Sequence, residues 1–181
     1  MLTFRSIVLA LVTLASFPCI APAQEPGAAW APFQFLVGEW RGVPQGKPGE
    51  AAGGFTFAWD LDHRVLSRRG WNDSPATAGR PASSHKDIMT IYHDNGRAHA
   101  VYFDNEGHVI HYRAAISPDG RSITFLSEPT ASAPGFRLVY HKETDDLVKI
   151  AFAIAPPGKP DGFKTYLEGK AERVKPKPPG K

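Results

Sequence analysis

Tyr92, His99 and Arg113 are the residues whose types and spacing come nearest to a chemical constellation. A two-residue turn at Asn95-Gly96 sets Asp94 opposite Arg97, and therefore Tyr92 opposite His99. A three-residue loop over Asn105-Glu106-Gly107 sets Asp104 opposite His108, which brings His99 opposite Arg113 and Val101 opposite His111. One sheet face then collects Tyr92, His99, His111 and Arg113 with Ile88, Val101, Phe103 and Val109. An arginine with a phenol and imidazoles among apolar side chains is the composition of a pocket for an amphipathic anion. Arg113 would pair with a carboxylate and Tyr92 would donate a hydrogen bond; a buried Arg113 also needs that ligand, water or an acid such as Glu168 as counter-charge. The opposite face carries Met89, Ile91, Ala100, Ile110 and Tyr112, and burial alone would turn that face inward and leave the Tyr92 row on the surface. The alternation leaves both accounts open.

Other patterns exclude chemistry more than they suggest it. Gly-x-Ser-x-Gly and His-Glu-x-x-His are both absent, and Gly42-Val43-Pro44-Gln45-Gly46-Lys47 is one residue short of a phosphate loop. His108 and His111 lie three apart in a strand and face opposite sides, so no metal centre is expected from them. Asp60-Leu61-Asp62-His63 reads as a reversal. Phe55, Phe57 and Trp59 alternate with small or polar residues and read as core.

The elements that must position these residues are strands. The 181 residues include 17 Gly and 17 Pro, roughly half again the usual share, which leaves little room for long helices. Arg5, the apolar run Ile7 to Ala15 and Ala21-Pro22-Ala23 predict a secretory signal over 1–23 and a mature start at Gln24. Cys19 falls within that leader, so the exported product would contain no thiol or disulfide. No later stretch is long and apolar enough for a membrane-spanning helix. Four cations belong to the ends, Arg5 to the leader and Lys175, Lys177 and Lys181 to a Lys/Pro tail over 175–181; without them the net charge falls from +3 to −1 for 24–174. A nearly neutral body lacks the clustered cations that nucleic-acid binding needs, and the tail reads as a disordered, solvated end.

Within 24–174, Trp30 to Val37 reads as a helical turn or plug. Period-two alternation broken every 8 to 12 residues then predicts about ten strands, beginning near Gly38, Phe55, Arg64, Asp87, Ala98, His108, Ser122, Phe136, Leu147 and Phe163. The longest loop, between Trp71 and Lys86, is a candidate lid. An all-β meander of this length buries its edges most simply as a closed antiparallel up-and-down barrel.

Phe35-Leu36-Val37-Gly38-Glu39-Trp40-Arg41-Gly42 resembles the first strand of calycin-type barrels, the superfamily of lipocalins, fatty-acid-binding and nitrobindin-like proteins. It is also similar to secreted bacterial domains that open with Phe-Leu-x-Gly-x-Trp. The resemblance implies that Gly38 and Trp40 sit at the closed end of the barrel, with Arg173 from the last strand lying across the tryptophan. It would also imply haem held by a histidine near the C-terminal strand in the nitrobindin-like branch, but the last histidine here is His141, so neither haem nor another cofactor is expected.

The reading that follows is an exported, secreted or periplasmic barrel that holds a small apolar or amphipathic molecule, with Tyr92, His99, His111, Arg113 and Glu168 as candidate ligand contacts. Two alternatives stay open. An isomerase or hydrolase would use His99 or His111 with Glu168 as an acid-base pair. An interaction module would use the apolar second face as an interface, with copies of itself as a homodimer or oligomer or with another partner.

Overall fold

The computed structural model describes residues 27–46 and 50–175; the expected leader and the tail beyond Lys175 lie outside the described residues. Ten strands run β1 Gly38–Gly42, β2 Ala52–Asp60, β3 Val65–Ser74, β4 Ser83–Asp94, β5 Arg97–Asp104, β6 Val109–Ile116, β7 Ser122–Leu126, β8 Gly135–Lys142, β9 Leu147–Ala155 and β10 Lys164–Arg173. Each pairs antiparallel with its sequence neighbours, and β1 pairs with β10, so the meander closes into a ten-stranded barrel. Closure leaves no sheet edge for another chain to extend.

Turn chemistry sets the registers. Asn95 and Gly96 adopt φ of 48° and 75°, the left-handed pair that a tight hairpin needs, and Tyr92 falls opposite His99. Across the next turn, His99 pairs with Arg113 and Val101 with His111. Leu61, Asp62 and His63 all have positive φ and form the reversal between β2 and β3. The expected lid shrinks to a short connection, because β3 and β4 stay paired as far as Ser74 and Ser83 and an isolated bridge joins Thr77 to Arg80. Polar residues continue this ladder after the apolar alternation has faded, since the backbone bonds do not depend on side-chain polarity.

Burial decides between the two faces. Met89, Ile91, Ala98, Ala100, Ile110 and Tyr112 are buried and belong to one core with Phe57, Leu66, Ile123, Phe125, Tyr140 and Val148. The Tyr92 row therefore lies on the outside. That core also occupies the face expected to pair copies, so the face has no free surface to offer an oligomer partner.

The barrel's two ends differ. At one, a 3-10 helix, Ala28–Leu36, inserts Trp30, Phe33 and Leu36 beneath the barrel as a plug. The Trp40 indole donates to the Leu36 carbonyl at 2.8 Å, which ties the plug to β1. Arg173 stands opposite Trp40 across the closing seam with its guanidinium 4.2 Å from the indole centroid. Its Nη1 donates to the Val37 carbonyl, its Nη2 to Phe35 and its Nε to Asp145. Gly38, at φ 124°, is needed here, because a Cβ would stand 2.7 Å from Arg173 Nη1. The row continues inward: Trp40 stacks on Phe55 at 6.2 Å, and the Arg68 guanidinium covers Phe55 at 5.2 Å. At the other end the inward side chains are only half-buried, among them Tyr102, Phe136, Leu138 and Ile150, and no second plug covers them among the described residues.

Candidate functional site

The interior is apolar from the plug up to one polar layer. Arg68 points inward from β3 between Leu66 and Gly70, with Met89 opposite it on β4. Its Nη1 meets the carboxylate of Asp87, which stands opposite Gly70; the two side chains are only 13% and 6% exposed. Gly70 makes this pairing possible. A Cβ there would lie 2.6 Å from Arg68 Nη1 and nearer still to Asp87 Oδ2. Arg68 is held from below by the face of Phe55.

Around this pair stand three phenols. Burial pushes the hydroxyls of Tyr102, Tyr112 and Tyr140 up from their ordinary pKa, while the Arg68 guanidinium pulls each in the opposite direction. They remain neutral donors at physiological pH. The fully buried Tyr140 hydroxyl lies beside Arg68 but makes no hydrogen bond of normal geometry, and Arg68 Nε has no acceptor. A buried donor without a partner costs about 1–3 kcal/mol, so a further acceptor beside Arg68 and Tyr140 would be stabilised here, Asp87 Oδ1 being in contact with Nη1 alone.

Above the polar layer the wall is apolar. Phe136 and Phe152 stack at 6.0 Å with planes only 7° apart, and Tyr166 stands edge-on to Phe152 at 6.2 Å while remaining 74% exposed. On the opposite lip His85 places Nε2 2.9 Å from the Tyr102 hydroxyl and Nδ1 3.0 Å from Glu106. Asp104 is held by the neighbouring turn: burial raises its carboxyl, but the His108 N–H, the His108 ring and the Glu106 N–H together bring it below its ordinary pKa. Ligand atoms of His85, Asp104 and Glu106 all lie within 4.8 Å of one another. Two open hollows, of about 610 and 450 Å³, border the β2–β3–β4 ends and the β3–β5 strands, and neither is lined by Arg68 or Tyr140.

The residues expected from the sequence to contact ligand are distributed differently. Tyr92 and His99 stack at 5.7 Å, directly beside Arg113, but this row faces outward. Arg113 pairs with Glu128 at 3.2 Å, both largely exposed, and not with Glu168. His111 is exposed. Glu168 pairs with Lys149 across β9 and β10. The structure thus assembles Tyr92, His99 and Arg113, but not within the barrel, and brings neither His99 nor His111 to Glu168. The physical reason is that both faces of β4 to β6 carry apolar residues, and the face with the smaller and more continuous apolar set packs inside. His108 lies in the turn before β6 and pairs with Asp104, whereas His111 stands in β6 opposite Val101.

Sequence reasoning missed Arg68, Asp87, His85, Tyr102 and Tyr140. The available signal was parity: Leu66, Arg68 and Gly70 share a face, and a glycine two residues after an arginine in a strand leaves room for the guanidinium.

No protein-family model and no curated protein matches the sequence. Among solved structures, an S-type phycobiliprotein lyase from Guillardia theta superposes with TM-score 0.50 at 15% identity, over 80% of this chain and 92% of that one. The likeness is one of fold.

Proposed function

We propose that the protein is an exported binding protein that holds a small amphipathic molecule at the open end of its barrel. The acceptor group of the ligand, a carboxylate or carbonyl, sits on Arg68 and Tyr140, and its apolar body lies against Phe136, Leu138 and Phe152. The observation that carries this reading is a polar layer in an otherwise apolar interior, with buried Arg68 Nε and the Tyr140 hydroxyl lacking a hydrogen-bond partner, while the side chains at the unplugged end stay half-buried. Asp87 offsets the charge of Arg68 without using all five guanidinium donors, so the layer remains a donor surface. A structural neighbour that is a phycobiliprotein lyase supports ligand handling in a barrel of this kind. Export rests on the leader-like residues 1–23, and N-terminal sequencing of the mature protein should begin at Gln24.

Native mass spectrometry of protein purified from its own host, followed by titration with fatty and aromatic carboxylates, tests the binding. The double substitution Arg68→Met with Asp87→Leu removes both charges together, which commonly leaves stability unchanged or raised. It should weaken carboxylate binding by about tenfold or more, the value of one charge-assisted hydrogen bond. Arg113→Leu, on the outer face, should leave affinity unchanged. Equal affinity in the wild type and the double variant, or no binding to any member of the panel, overturns the reading.

A further inference from the structure

We propose that His85, Asp104, Glu106 and His108 form a site for one divalent transition cation of the zinc class, at the lip of the open end and independent of the barrel ligand. Three of the four residues come from alternate positions of a single turn, Asp104-Asn105-Glu106-Gly107-His108, and the fourth from the adjacent strand β4. Three of the four already converge: ligand atoms of His85, Asp104 and Glu106 lie within 4.8 Å of one another, whereas His108 meets Asp104, with Nδ1 2.8 Å from Oδ2, and joins the other two by rotating about its side-chain bonds. Donors around a tetrahedral ion with bonds of about 2.0–2.2 Å lie roughly 3.3 Å apart, a spacing within reach of His85, Asp104 and Glu106, with the exposed His108 ring completing the set.

The donor set selects the ion. Two imidazoles with two carboxylates suit zinc and its neighbours, whereas calcium and magnesium take oxygen ligands. The charge balance also calls for a cation. The Asp104 side chain is 4% exposed, and the ion pairs of Asp104 and Glu106 are with histidines, which supply charge only when protonated.

The supporting structure is in place. The Asn105 side chain accepts from the Lys86 N–H at 2.8 Å and donates to the Ser84 carbonyl at 2.9 Å, which clamps the turn to both residues flanking His85. Gly107, at φ 91°, lets the chain curl so that His108 returns to Asp104. The Tyr102 hydroxyl, 2.9 Å from His85 Nε2, can accept that N–H, fixing the ring with Nδ1 turned to the cation, as an outer-shell partner does. Glu106 and His108 are exposed, so the ion has a path from solvent.

The test is calorimetric titration of the untagged, chelator-stripped full chain with zinc chloride, together with visible absorption after cobalt(II) addition. One saturating cation per chain with a tetrahedral cobalt spectrum is expected. Glu106→Gln, an exposed substitution expected to leave the thermal midpoint unchanged, and His85→Ala should each weaken binding at least tenfold. Tyr102→Phe should weaken it by about tenfold through the outer shell, and His111→Ala, on the outer face, should not change it. Absence of saturable binding, or affinity undiminished in both Glu106→Gln and His85→Ala, overturns the site.

Discussion

Of the four arginines that lie over aromatic rings among the described residues, Arg173 and Arg68 stand at the two ends of a single row and are used in opposite ways. Arg173 covers Trp40 at the plugged end and spends its donors on the carbonyls of Phe35, Val37 and Asp145. Arg68 covers Phe55 on the other side of that stack, takes one carboxylate, and keeps Nε without an acceptor beside an equally unpartnered Tyr140 hydroxyl. The lesson is that burial and ring contact do not separate a structural arginine from a recognition arginine. The fate of the remaining donors does. A guanidinium saturated by backbone stabilises the fold, whereas one left with open donors in a low-dielectric site is poised for a ligand.

The comparison breaks if the two arginines prove interchangeable. The largest expected effect is at the closed end. Arg173→Met leaves three carbonyls without their donor and removes the ring contact, at a cost on the order of 3 kcal/mol in urea unfolding, with ligand retention unchanged. A variant of wild-type stability that loses its ligand would reverse the assignment of the two ends. Gly38→Ala is expected to cost about 1–3 kcal/mol, since alanine at φ 124° is strained and its methyl presses on Arg173 Nη1. A thermal midpoint equal to wild type would show that Arg173 shifts freely and that the seam is looser than its geometry.

The smallest effect sharpens the same contrast by pH. Burial, and then the neighbouring charge of His99, lower the pKa of His93 from 6.5. A histidine held neutral in the fold contributes stability that is fully present above 6.5 and is lost as pH falls below that value. Because its ring centroid lies 4.2 Å from that of Trp30, acidification should raise hydrogen exchange over the plug, residues 28–36, before the polar layer around Arg68 responds. His93→Phe should abolish this dependence; a plug that loosens equally in that variant is responding to another group.

Much of the architecture was legible because turns carry their own chemistry. Asn95-Gly96 and the loop ending at Gly107 fix the β4–β5–β6 registers locally, and Gly38-x-Trp40 with a late arginine marked the seam. The closed all-β meander followed from strand number and spacing. The site was not legible, for two reasons. The face choice depends on how ten strands pack together, and β4 to β6 are partly apolar on both sides, so local alternation cannot decide it. The Arg68–Asp87 contact depends on the β3–β4 register, which the two-residue turn at Ala78-Gly79 carries on through the Thr77–Arg80 bridge; that turn lies in a polar stretch without alternation, among several Gly and Pro, so the sequence did not single it out. The His85 cluster was hidden similarly: Asp104, Glu106 and His108 are close in sequence, but His85 joins them only through the clamp of Asn105 on Ser84 and Lys86.

The seam has a topological result. The plug begins at Ala28, and the Val174 N–H donates to the Glu39 carbonyl, so the chain enters and leaves the barrel at the same pole. A fused domain joined directly at Gly27 or Lys175, where the described residues begin and end, would attach at the sealed base, opposite the rim with its aromatic wall and histidine lip.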